Sequence, residues 1–123
     1  MGRLVKLFTL STAVAGLFAT TSLAEGFERI EEELNFVSLM KDRNLRRFGI
    51  RIQVQDNGQI QGRAFGQSVT GAWDWNGGFF CRDLFWGGKE LDADNCQLVE
   101  VMGNTIRFTS DMGSGDSADL SIE

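Results

Sequence analysis

The chain has 123 residues, with 12 basic and 17 acidic side chains, two Cys, and no His, Pro or Tyr. The lack of His excludes a His-dependent catalytic triad and an imidazole metal ligand. Two cysteines alone cannot complete a zinc site, so any metal would have to be held by oxygen. The length allows one domain with a modest core.

Residues 1–24 read as a secretory leader. Arg3 and Lys6 make a positive start, no acid precedes Glu25, and Leu7 to Ala19 carries no polar side chain beyond Ser and Thr. Ser22-Leu23-Ala24 then sets small residues at both positions that a signal peptidase reads. Cleavage is expected between Ala24 and Glu25, which makes the protein periplasmic or secreted and leaves residues 25–123 as one β-rich domain. The apolar stretch is shorter than the ~20 residues of a membrane span, so no stable membrane anchor is expected. Removing the leader takes away Arg3 and Lys6 and no acid, leaving 10 basic against 17 acidic groups, a net charge of −7. Such a chain repels phosphate backbones, which argues against nucleic acid, and no polybasic run points to an anionic membrane.

In chain order, Phe27, Ile30, Leu34, Val37 and Met40 recur at spacings of three and four and predict an amphipathic helix. Glu28, Glu31, Glu32 and Glu33 near its start and Lys41 and Arg43 at its end suit the helix dipole. From Arg47 the period becomes two. Ile50, Ile52 and Val54 alternate with Arg51, Gln53 and Gln55, and Asn57-Gly58 makes a strong hairpin signal before a strand from Gln59 to Phe65. Gly66-Gln67 turns into a strand carrying Val69, Gly71, Trp73 and Trp75 on one face. Asn76-Gly77-Gly78 turns into Phe79–Trp86. Strands follow at Leu98–Met102, at Ile106 and Phe108, and at Leu120 and Ile122. The expected fold is mainly β (α+β): an N-terminal helix packed on about seven antiparallel strands, in a meander or small barrel.

Cys81 and Cys96 fall in the exported part and are expected to pair, closing a short loop worth ~3 kcal/mol by the chain-entropy estimate. Direct opposition of the two cysteines requires the segment after Gly88 to fold back along its predecessor. A symmetric register then puts the turn at Gly88-Lys89 and sets Trp86 opposite Leu91.

Several constellations look chemical. The block Gly115-Asp116-Ser117 resembles the surroundings of an esterase nucleophile, yet no His is present to take its proton. Asp92, Asp94 and Asn95 resemble the start of a calcium loop, but Gln97 and Gly103 stand where Gly and Glu belong. Asp111, Asp116 and Asp119 among glycines offer oxygen ligands or simply solvated turns. No glycine motif for a nicotinamide cofactor or a nucleotide phosphate is present, so no cofactor is expected. The aromatic group is the most informative feature. Trp73, Trp75 and Trp86, with Arg82 in the same apolar run, either line a cavity for a small apolar or sugar ligand or fill the barrel as core.

The blocks Val69-Thr70-Gly71-Ala72-Trp73-Asp74-Trp75, Gly78-Phe79-Phe80-Cys81-Arg82-Asp83-Leu84-Phe85-Trp86-Gly87-Gly88 and Asn95-Cys96-Gln97 resemble a group of small exported alphaproteobacterial proteins. So does Arg107-Phe108-Thr109-Ser110-Asp111 with Gly113 and Gly115-Asp116-Ser117-Ala118. Some of that group carry the name dihydrodipicolinate reductase. The resemblance spans nearly all of residues 25–123, and the name implies a nicotinamide-dependent reductase. The Rossmann half and His-rich motif of the reductase proper have no counterpart here, so the resemblance carries over no site residue. From the residues themselves the leading expectation is a non-catalytic binding module for a small or apolar ligand. A protein–protein module, such as an inhibitor of a basic envelope enzyme that uses the acidic residues Asp92 to Asn95, stands beside it.

Overall fold

A computed structural model describes residues 26–123; the expected leader and its cleavage site lie outside the described residues. Nine strands form one antiparallel sheet: β1 (Glu28–Arg29), β2 (Leu45–Arg47), β3 (Ile50–Val54), β4 (Gln59–Ala64), β5 (Gln67–Asn76), β6 (Phe79–Trp86), β7 (Lys89–Met102), β8 (Thr105–Thr109) and β9 (Ser117–Ile122). Consecutive strands from β2 to β9 pair in turn, and β9 returns to β2 through Leu45↔Ile122, so eight strands close a barrel. Closure leaves no long open edge for pairing with another chain. The mainly β expectation and the Cys81–Cys96 disulfide are both present, the latter with S–S 2.07 Å.

Alternation sets the interior. In β4, Ile60 and Ala64 are buried while Gln59, Gln61 and Arg63 are exposed, and Gly62 takes the inward position between them. The same parity turns Val69, Trp73, Phe80, Arg82, Gln97, Val99, Ile106, Phe108 and Ile122 inward. Two glycines let the small barrel bend. A Cβ on Gly62 would lie 2.1 Å from the Arg51 carbonyl oxygen, and one on Gly71 would lie 2.3 Å from that of Asp83.

The helix differs from expectation in extent and phase. It spans Glu33–Met40 (α1), and Leu34, on the predicted apolar stripe, is 79% exposed. Phe36, off that stripe, is fully buried. Phe27 and Ile30 lie in the extended segment around β1, which pairs with β7 through Glu28↔Val101 and Arg29↔Glu100. The physical reason lies in β7. Its pairing with β6 ends at Phe80↔Gln97, so the backbone groups beyond would go unsatisfied; β1 and the Ile30 N–H, donating to the Val99 carbonyl at 2.9 Å, satisfy them. An eight-residue helix is marginal alone, and burial of Phe36 and Met40 holds it. It ends where Asp42 turns to φ 57°.

The helix covers one end of the barrel and not an outer face. Phe36 meets Trp73 edge-on at 5.5 Å, Trp75 at 4.9 Å and Phe80 at 5.1 Å between centroids. Outside β6, Phe79 is covered instead by the Arg29 guanidinium, 4.8 Å above its ring.

The β6–β7 hairpin departs from the symmetric register. Cys81 faces Cys96 and Arg82 faces Asn95, but Leu84 faces Asp92, Phe85 faces Glu90 and Trp86 faces Lys89. Two irregularities thus move the turn to Gly87-Gly88, both with positive φ as a type I′ turn demands, and Trp86 does not oppose Leu91. Asp94, at φ 46°, sits within the bulged stretch. A further short strand, β2, turns through Phe48-Gly49 into β3; its three residues are too few to show a period.

Candidate functional site

With α1 over one end, the barrel interior opens at the other. A cavity of about 180 Å³ lies there, lined by the inward side chains of seven strands. Leu45, Ile52, Val54, Ile60, Phe80 and Phe108 form its deeper walls, and Arg47, Ile50, Leu84 and Ala118 stand toward the mouth. This volume falls below the usual range for drug-sized ligands and suits a small ligand or the end of a longer one.

Besides Arg47 at the mouth, two polar side chains interrupt the apolar wall. Arg82 is 9% exposed and Gln97 is buried as well. The disulfide explains why they are neighbours: Cys81 and Cys96 point outward from paired positions, so the next residue on each strand points inward. Arg82 Nη1 donates to Asp92 Oδ2 at 3.0 Å, the one partner of this guanidinium among the described residues. A buried charge needs such a counter-ion. The guanidinium carries five N–H groups in a planar fork, so donors are left for an oxygen acceptor in the cavity. Gln97 donates its amide to Ser110 Oγ at 3.2 Å.

The predicted ligand residues separate in space. Arg82 lines the cavity. Trp73 is buried near the closed end, its indole N–H donating to the Gln55 carbonyl at 2.8 Å, and Trp75 lies beside it, donating to the Glu31 carbonyl at 3.0 Å. Trp86 stands at the open end and reaches past β5 to the Ala64 carbonyl of β4 at 2.7 Å. All three rings are thus tied to backbone. Gln97, Leu84, Phe108 and Ala118 were not singled out by sequence reasoning. Gln97 was within reach, because the Cys81–Cys96 pairing alone puts it on the same face as Arg82.

The acidic groups do not gather. Asp119 is paired with Arg107, Asp111 accepts from the Asn95 amide at 3.1 Å, and among the described residues no group of three potential ligands could hold a metal ion. Asp92 to Asn95, the acidic residues offered to a basic partner, belong to bulged β7, with Asp92 committed to Arg82. Ser117 exchanges a hydrogen bond with Thr109 Oγ1 at 2.8 Å. A second, wider groove of about 350 Å³ runs between the end of α1 and the β3–β4 hairpin, lined mainly by polar residues from Lys41 to Arg43 and Gln53 to Asn57. It lacks a buried polar anchor of the Arg82 kind.

Searches against protein families, curated proteins and solved structures match nothing.

Proposed function

We propose that the protein is an exported, non-catalytic binding module that takes a small, mainly apolar ligand, or the apolar end of a longer one, in the open mouth of its barrel. One observation carries the reading: a mostly buried arginine with a single carboxylate partner lies on the wall of a mainly apolar cavity. The aliphatic and aromatic walls would hold the ligand's body by removing it from water. Arg82, seconded by the Gln97 amide, would hold an oxygen acceptor such as a carboxylate or carbonyl, in a site where a charge-assisted hydrogen bond is little screened. The tryptophans serve this reading indirectly. Trp73 and Trp75 close the floor with Phe36, and Trp86 stiffens the rim.

The test is a titration of the oxidised protein with short aliphatic and aromatic carboxylates and their neutral isosteres, followed by amide NMR and tryptophan fluorescence. Saturable shifts at Ile50, Leu84, Phe108 and Ala118 are expected. Arg82→Met should weaken carboxylate binding about tenfold or more, and Ala118→Phe, which fills the mouth, should abolish binding. Flat titrations across the panel would sink the reading.

A further inference from the structure

A second feature stands on the outer surface of the open end. Arg46 of β2 pairs directly with Arg51 of β3, and Arg51 with Arg63 of β4. All three are exposed and outward, so three cations lie in one row across adjacent strands, an arrangement that repels itself. Relief is partial. Arg46 has Glu123 at 3.5 Å with both side chains about half exposed, Arg63 donates to the Gly66 carbonyl, and Arg51 has no ion pair among the described residues. Arg47 adds a fourth cation at the cavity mouth. β2, β3 and β4 contain no Asp or Glu, whereas β7 alone carries Glu90, Asp92, Asp94 and Glu100. Four of the ten basic groups of residues 25–123 therefore collect on one side of an acidic molecule.

Two phenylalanines rise from the turns at the end of this row. Phe48, in the β2–β3 turn, is 92% exposed, and Phe65, in the β4–β5 turn, is 63% exposed. The turns touch, since a Cβ on Gly49 would lie 2.4 Å from the Phe65 ring. Phe65 also has φ 50°, a left-handed conformation that a bulky L-residue rarely adopts. The fold thus holds a largely exposed aromatic ring, at the cost of backbone strain, at the end of an arginine row.

We infer that this edge docks the protein peripherally on an anionic phospholipid surface, with Phe48 and Phe65 entering the headgroup–acyl boundary and Arg46, Arg47, Arg51 and Arg63 on lipid phosphates. Exposed apolar rings beside cations are the combination that binds such an interface. A soluble polyanion would use the arginines and leave both rings in water; a bilayer uses both. Docked this way, the mouth bounded by Arg47 and Ile50 faces the lipid. The inference rests on the outer surface and stands independently of any ligand in the cavity.

The test is co-sedimentation of the exported, disulfide-bonded protein with vesicles of phosphatidylglycerol and phosphatidylethanolamine, against vesicles of phosphatidylcholine. Binding is expected to the anionic vesicles, falling as salt rises. Arg51→Gln and Arg63→Gln should each lower it roughly fivefold. The double variant Phe48→Ser/Phe65→Ser should lower it at least tenfold while circular dichroism and the melting midpoint stay near wild type, because both rings are exposed. Equal partition onto the two kinds of vesicle would overturn the inference. So would unchanged binding by the phenylalanine variant, or capture by heparin with the anionic vesicles ignored.

Discussion

Arg107 and Asp119 show how one residue pair ties local chemistry to pH. Arg107 Nε and Nη2 donate to the two oxygens of Asp119 at 2.8 and 3.1 Å, and the same guanidinium lies 3.9 Å over the Phe27 ring. The Arg107 hydrogen bond holds the Asp119 carboxyl below its ordinary 3.8; burial opposes this, and the charges of Arg107 and Arg47 add smaller lowering contributions. A folded-state value below the unfolded one means the contribution is complete above about pH 4 and is lost as pH falls through the folded value. Solvent exposure keeps it small. Arg107→Gln should return Asp119 to the ordinary carboxylate range in an NMR-monitored titration, and an unmoved midpoint would remove Arg107 as the cause. The chemistry of such residues is legible in a sequence, but their partners are not. Arg82 stood out as a charge in an apolar run, yet Asp92 became its counter-ion only through the bulges of β7.

At the scale of elements, the β6–β7 hairpin joins a disulfide to an irregular register. Cys81 and Cys96 are 15 residues apart, and a loop of that length is worth about 3 kcal/mol by chain entropy. Reduction, or Cys81→Ser/Cys96→Ser, should therefore lower the melting midpoint markedly with the barrel's circular dichroism kept at low temperature; an unchanged midpoint would show that the ladder alone holds the hairpin. Alternation and turn signals announced β3, β4, β5 and β6, because period two and the Asn-Gly and Gly-Gly turns are local properties. The bulges, the displaced turn and the phase of α1 were not legible. Spacing favours Leu34 over Phe36, and only the ring cluster of Trp73, Trp75 and Phe80 decides which face of so short a helix is buried.

For the whole molecule, closure is the governing fact. β2 and β9 meet only when the intervening strands have coiled far enough, and Gly62 and Gly71 permit the approach. Gly62→Ala should destabilise the protein by about 1–3 kcal/mol through overpacking against the backbone of β3, in spite of the small gain an alanine ordinarily brings to a strand. A denaturant midpoint equal to wild type would mean that the strands can separate without loss. Closure also creates the cavity. Inward side chains from seven strands converge on it, whereas the row of Arg46, Arg51 and Arg63 needs only the β2–β3 and β3–β4 hairpins.

The sequence by itself determined the β-rich class, most strand positions and the pairing of the two cysteines, because each depends on periodicity, turn chemistry or composition within a short window. The tertiary structure alone decided that the sheet closes, that α1 covers one end, that Arg82 and Gln97 share an apolar cavity, and that Arg46, Arg51 and Arg63 stand beside Phe48 and Phe65. The first three depend on register and coiling summed around eight strands, and the last on the pairing of β2, β3 and β4; in each, a shift of one residue would turn a strand's side chains to the opposite face.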